Sequence, residues 1–120
     1  MTDEPVMTPK SSWESTALFY EDLVLNGQDV KDLLLLVKKI ANSSLADRFY
    51  SFTSHYDLCI SRGGSYAERR QLAMISVRLI EKEKFKIQFF KSYERTHDIK
   101  TIERNSSDVL SALNELLEQL

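Results

Sequence analysis

His55 and Cys59 are the two residues whose types and spacing come closest to a reactive pair. Four positions apart on a predicted helix, an imidazole and a thiol would be neighbours. Such a pair could form a thiolate nucleophile or supply two ligands to zinc. Cys59, however, continues an apolar stripe with Phe52 and Tyr56, where a cysteine packs as a small hydrophobic residue. We therefore interpret Cys59 as a core residue.

Two further motifs could carry chemistry. His97 and Asp98 could hold an imidazole as a general base, but the pair also fits the end of one helix and the cap of the next. The segment Gly63-Gly64-Ser65 could bind an anion weakly at a helix start, but it lacks the lysine and spacing of a P-loop. The arginines near this segment are Arg62, Arg69 and Arg70. We interpret both motifs as structural, and predict no catalytic residue, metal site or cofactor.

Acidic and basic side chains are concentrated in different segments of the chain. Residues 1–61 carry five basic and nine acidic side chains, a net of −4. Residues 62–104 carry eleven basic and six acidic side chains, a net of +5, and residues 105–120 have a net of −3. Aromatic residues are interleaved with the basic ones, as in proteins that bind nucleic acid through phosphates and stacked bases. These rings are Phe85, Phe89, Phe90 and Tyr93.

The basic segment therefore has three interpretations. It could bind nucleic acid, it could face an acidic protein partner, or it could be a solvated surface with internal Glu–Lys pairs. A partner of opposite charge would meet the basic side chains of residues Arg69, Arg70, Lys82, Lys84 and Lys86.

The elements that would position these residues are predicted to be helices. Apolar spacing and capping residues predict helices from Ser12 to Asn26-Gly27, from Asp29 to Ala41, and from Ser43 or Ser44 to Ile60. Ser65 and Glu68 form a capping box that predicts a fourth helix through Ile80.

The second half of the chain is less regular. Residues 85–89 alternate with the period of a strand, but no other segment reads as a partner strand, so a helix is preferred over 81–93. A short helical turn is predicted at Ile99–Arg104. Ser106 or Ser107 caps a last, strongly amphipathic helix.

Composition supports the same fold class. The chain has 120 residues, 42% of them hydrophobic, but only three glycines and two prolines, too few for the many turns of a typical β fold. We therefore predict an all-α fold, a compact bundle of about five helices. Residues 1–11 are predicted to be a flexible tail and residues 12–120 one helical domain.

The predicted helices carry more apolar residues than one stripe each requires. This surplus predicts a non-enzymatic protein–protein interaction module, an adaptor or regulatory subunit that binds a partner or itself through apolar helix surfaces. The apolar contacts are assigned to Leu35, Leu36, Leu113, Leu116, Leu117 and Leu120. The alternative is a small nucleic-acid-binding protein that uses the basic aromatic segment 62–104.

The remaining expectations follow from composition. One cysteine, no signal-like start and no apolar run longer than five residues predict a cytoplasmic or nuclear protein with no membrane partner. No small-molecule substrate is expected.

Overall fold

The protein has an α+β fold, and the predicted all-α bundle is wrong. The computed structural model describes residues 7–91 and 98–120. In chain order the elements are α1 (Pro9–Leu25), α2 (Lys31–Ala41), a 3₁₀ turn (Ser44–Asp47), β1 (Tyr50–Ser54), β2 (Asp57–Ser61), α3 (Tyr66–Arg69), β3 (Met74–Glu81), β4 (Lys84–Phe90), β5 (Asp98–Asn105) and α4 (Val109–Leu117).

The five strands form one antiparallel sheet in the order β1-β2-β3-β4-β5. Hairpin turns of two residues join β1 to β2 and β3 to β4. His55 and Glu83 in these turns have φ angles of 57° and 60°, a left-handed conformation that glycine usually supplies. The small number of glycines therefore did not exclude a sheet, because other residues make the turns.

One face of the sheet carries the main hydrophobic core. Inward residues of the three central strands, such as Ile60, Val77 and Ile87, are fully buried there against α1, α2 and α4. The opposite face holds a smaller cluster made by Cys59, Met74 and Phe90 with Phe52. We call these the inner and outer faces.

Three of the predicted helices are present. The first begins at Pro9, with Thr8 as its N-cap, so the predicted start at Ser12 is wrong and residues 9–11 of the predicted tail are helical. It ends before Gly27, whose φ of 88° fits the predicted stop. The second ends at Ala41 as predicted, although its N-cap is Val30 rather than Asp29. The last covers Val109–Leu117.

The predicted third helix is wrong. Ser43 does cap a helical segment, since its hydroxyl accepts the Leu45 N–H, but that segment is only the 3₁₀ turn and the chain continues as β1 and β2. β2 is buried at all five positions, so it lacks the alternation that marks a half-exposed strand. The apparent helical stripe joins residues that the hairpin separates: Phe52 and Cys59 face each other across β1 and β2, and Tyr56 lies in the turn.

The predicted helices between residues 65 and 104 are also wrong. Ser65 caps a single helical turn, α3, and the chain then forms three strands. The alternation at 85–89 is a strand, β4, with Phe85, Ile87 and Phe89 facing the inner core. Its partners are β3 and β5, whose residues were predicted to be helical.

Candidate binding cleft

A cleft of about 740 Å³ lies between α1, the edge of β1 and the turn that contains α3. This volume is within the range of small-ligand and peptide sites in proteins. Polar and apolar surface contribute about equally to the lining, in which aromatic rings lie among hydroxyl groups. It comprises Met7, Ser12, Ser15, Thr16, Phe19, Tyr50, Ser51, Phe52, Thr53, Gly64, Ser65, Glu68 and Arg69.

Buried polar contacts fix α1 against β1. The Trp13 indole Nε1 donates to the Phe49 carbonyl at 2.9 Å, and the Ser51 N–H donates to the Ser12 hydroxyl at 2.9 Å. The hydroxyls of Thr16 and Ser51 are 2.8 Å apart. Because these groups are buried, each bond also satisfies a group that would otherwise be unpaired away from water. The wall and floor of the cleft are therefore rigidly connected.

Arg69 forms the opposite wall. Its guanidinium lies 4.1 Å from the centre of the Phe52 ring, and its NH1 donates to the Gly64 carbonyl at 3.4 Å. Its Nε is buried and has no hydrogen-bond partner among the residues that the structure describes. Arg69 forms no ion pair there either. The cleft thus contains a cationic group whose charge no described residue neutralises.

A close approach at Gly64 shapes this wall. A Cβ added to Gly64 would lie 2.7 Å from the Tyr50 ring, so only glycine permits the ring to pack against the backbone here. Among the described residues of the lining, Glu68 is the only one with a carboxylate, and it accepts a bond from the Ser65 hydroxyl at 3.1 Å. That bond is local to α3, and Glu68 forms no ion pair with any described residue.

Tyr20 extends the same helix face beyond the cleft. Its hydroxyl donates to the Tyr56 carbonyl at 2.9 Å, and the side chain is fully buried. Burial raises the pKa of Tyr20 well above its ordinary range, and the nearby Cys59 and Asp57 raise it further. The phenol therefore keeps its proton in the folded protein above the pH at which a tyrosine of the unfolded chain loses it.

This raised pKa predicts a loss of stability at high pH. The folded protein retains the Tyr20 proton, whereas the unfolded chain releases it above about pH 10, so the free energy of unfolding should fall as the pH rises from there. Urea titrations at several pH values between 9 and 11 measure this free energy. Above pH 10 it should decrease with pH more steeply for the wild type than for Tyr20→Phe, by about 1 kcal/mol per pH unit. If the free energy of unfolding depended on pH equally in the two proteins, the pKa of Tyr20 would not be raised by folding.

The outer face of the sheet carries paired charges. Asp57 is buried and receives two bonds from Arg78, at 3.0 and 2.9 Å, which together raise the pKa of the Arg78 guanidinium. Lys84 lies 3.4 Å from Glu103 and 3.5 Å from Glu81, and its pKa is raised mainly by Glu103. Part of the basic segment is therefore neutralised within the fold.

The apolar residues predicted to bind a partner are mostly in the core. Leu36, Leu113, Leu116 and Leu117 are buried against the inner face, so a partner would meet them only if α4 moved away. Leu120 is partly buried, and Leu35 is 48% exposed beside a groove of about 120 Å³ between α2 and α4.

The predicted basic residues are dispersed. Arg69 lines the cleft, whereas Arg70 is exposed, with its guanidinium 5.8 Å from the Tyr66 ring. Lys82, Lys84 and Lys86 belong to the β3–β4 hairpin. Arg62 donates to the Leu120 carbonyl at 2.6 Å, which gives it a structural contact.

The aromatic residues of the basic segment do not form a stacking surface in the described part of the chain. Phe85 and Phe89 are buried in the inner core and Phe90 in the outer cluster. Tyr93 lies outside the described residues, as do His97 and residues 1–6 of the predicted tail. Nothing in residues 7–91 and 98–120 brings three His, Cys, Asp or Glu side chains together as a metal site.

The structure does not bring His55 and Cys59 together as a reactive pair. His55 is in the exposed turn after β1, and Cys59 is buried in the middle of β2. Within the described ranges no helix has the length and apolar character needed to cross a bilayer.

The sequence did not reveal most of the cleft. Of the residues assigned to partner binding only Arg69 lines it, beside Gly64 and Ser65 of the segment that could bind an anion weakly. Ser12 and Thr16 are spaced eight and four residues before Tyr20 on the same side of α1, which was a signal available in the sequence. In the structure both are buried and bond to β1. The uncharged Tyr50–Ser54 segment was another such signal, and it was assigned to a helix.

Comparison with known protein families, with characterised proteins and with solved structures gives no match to this chain.

Proposed function

We propose that this protein is a non-enzymatic binding module that holds an acidic segment of a partner protein in the cleft between α1 and β1. The observation that carries the proposal is Arg69, which lines this cleft and whose guanidinium forms no ion pair with any described residue. A carboxylate of the partner would pair with this guanidinium from the cleft and neutralise its charge.

The surroundings of Arg69 favour a carboxylate on a peptide. The Phe52 ring contacts the guanidinium and limits its movement, and the planar guanidinium suits bidentate recognition of a carboxylate. Phe19 and Tyr50 provide apolar surface for the rest of a bound chain. Serine and threonine hydroxyls around the cleft can donate to or accept from its polar groups.

Binding is proposed rather than catalysis because of the groups that line the cleft. Its described lining offers hydroxyls, one arginine and one carboxylate, but neither histidine nor cysteine to activate a hydroxyl as a nucleophile. We propose a reducing intracellular compartment, cytoplasm or nucleus, since the one cysteine has no second cysteine with which to form an internal disulfide.

The experiment is a selection of random displayed peptides on the immobilised protein, followed by affinity measurements on synthetic copies of the enriched sequences. We expect enrichment of peptides with Asp or Glu. Arg69→Gln should weaken their binding at least about tenfold, because a charge-assisted hydrogen bond contributes ~1.5–3 kcal/mol.

Arg70→Gln is the matched control, since it removes the same charge from the adjacent residue, which does not line the cleft. It should change the affinity less than about twofold. Equal losses in the two variants would mean that only net charge matters. Tighter binding of a labelled oligothymidine, with a steep salt dependence, would favour the nucleic-acid alternative.

A further inference from the structure

β1 is an edge strand, and its outward peptide groups can be identified from its contacts. The Ser51 N–H donates to Ser12 and the Phe49 carbonyl accepts from Trp13, so both groups face away from β2. In an antiparallel pair the direction of the peptide groups alternates from residue to residue. The N–H and C=O of Thr53 therefore face outward as well, as does the Ser51 carbonyl.

Helix α1 satisfies only part of this edge. Within residues 7–91 and 98–120, no group bonds to the outward N–H or C=O of Thr53 or to the outward carbonyl of Ser51. Ser51 and Thr53 both line the cleft. Backbone donors and acceptors therefore lie on the floor of the same cleft that Arg69 lines.

The two edges of the sheet are protected differently. The edge strand β5 contains charged residues at half of its positions, including Lys100, Glu103 and Arg104, and such charges oppose pairing with another strand. The edge strand β1, Tyr-Ser-Phe-Thr-Ser, has no charged side chain. Three of its five residues, Tyr50, Phe52 and Thr53, are of types that favour strands. Because none is charged, an added strand meets no electrostatic barrier at this edge.

We propose that the acidic segment binds as a short added strand on the edge of β1, with its backbone paired to Thr53. This inference rests on the proposed function and specifies how the partner is held. Backbone pairing supplies affinity in this mode of recognition, and side-chain pockets supply specificity. The Ser12 hydroxyl already occupies the Ser51 N–H, which limits the pairing to the part of the edge at and beyond Ser51.

The two sides of the cleft then define a pattern for the bound segment. Successive side chains of a strand point to opposite faces. Those on the outer side would meet Arg69 and Phe52, and those on the inner side would meet Thr16 and Phe19 of α1. We expect acidic residues at one alternating set of positions and small or apolar residues at the other.

The test is a backbone N-methyl scan of an enriched acidic peptide, measured on the full-length protein. Methylation removes the donor from one peptide group at a time. Strand pairing predicts an alternating result: methylation at every second residue within the paired segment should weaken binding at least about tenfold, and at the intervening residues it should have much less effect. Binding should also slow hydrogen exchange of the Thr53 amide.

Two variants test the protein side. Thr53→Pro removes the outward N–H at a position where an edge strand tolerates proline, and should reduce affinity at least about tenfold. Thr53→Val keeps the N–H and removes only the hydroxyl, so it should bind more tightly than Thr53→Pro.

A peptide that depends on Arg69 but shows no alternation in the scan and no Thr53 protection would overturn strand pairing while leaving the proposed function intact. Failure to enrich any acidic peptide, or binding indifferent to Arg69→Gln, would overturn both. The scan does not depend on whether the proline variant folds.

Discussion

Replacing Trp13 with alanine should lower the free energy of unfolding by about 3–5 kcal/mol, a large part of the stability of a small domain. The indole is completely buried in the main core. Its loss leaves a cavity between α1 and the sheet and removes the donor to the Phe49 carbonyl. Urea denaturation followed by circular dichroism measures the change.

Two other substitutions separate the causes. Trp13→Phe keeps most of the apolar volume but removes the Nε1 donor, so it should retain more stability than alanine at this position. Leu18→Ala, on the same helix at 62% exposure, should change the free energy of unfolding by less than about 0.5 kcal/mol. Comparable losses for Trp13→Ala and Leu18→Ala would mean that α1 does not dock through Trp13.

The parts of the fold that sequence reasoning predicted correctly are the ones governed by local signals. α1 ends near Gly27, and α4 has a continuous apolar face. In both cases the helical periodicity of the sequence, with a stop signal after α1, predicts the helix that the structure contains. The local prediction holds because each helix presents one side to a single core.

The strands were missed because their signals depend on distant neighbours. β4 alternates clearly, but a strand is plausible only with partners, and neither β3 nor β5 was identified. β3 does alternate, with Ile75, Val77 and Leu79 inward. Its outer residues Met74 and Ser76 are also buried, so the polar half of the pattern is weak. Burial on both faces of a strand is a tertiary property that no local window contains.

The same reasoning explains why the cleft was not found. The spacing that placed Phe52, Tyr56 and Cys59 on one helical face also hid the β1 edge, and with it the floor of the cleft. Arg69 was selected for its charge alone. Its stacking on Phe52 joins residues 17 positions apart, on α3 and β1, and only the sheet brings them together.

The apolar residues that looked surplus in the sequence are needed by the sheet. The surplus was inferred by comparing the apolar residues of each predicted helix with the one apolar face that a helix in a bundle requires. A five-stranded sheet offers a broad apolar surface, and α4 packs on it with Val109, Ala112, Leu113, Leu116 and Leu117. Most of the leucines assigned to a partner are therefore used to complete the core.

The double substitution Leu116→Ser and Leu117→Ser should unfold the protein. Each leucine is buried, at 3% and 0% exposure, and truncating a buried leucine typically removes about 2–5 kcal/mol of stability. Two such losses on one helix approach the whole stability of a domain of this size, about 5–15 kcal/mol. Circular dichroism and the dispersion of amide NMR signals should both report loss of the fold.

Leu35→Ser provides the control, because it makes the same chemical change at a residue that is 48% exposed on α2. It should remain folded, with a loss of at most about 1 kcal/mol. If the double variant instead kept a native spectrum while losing only self-association or a partner, α4 would be a donated helix rather than part of the core. The Arg69 cleft would then have to be assessed beside a second interaction surface on the inner face of the sheet.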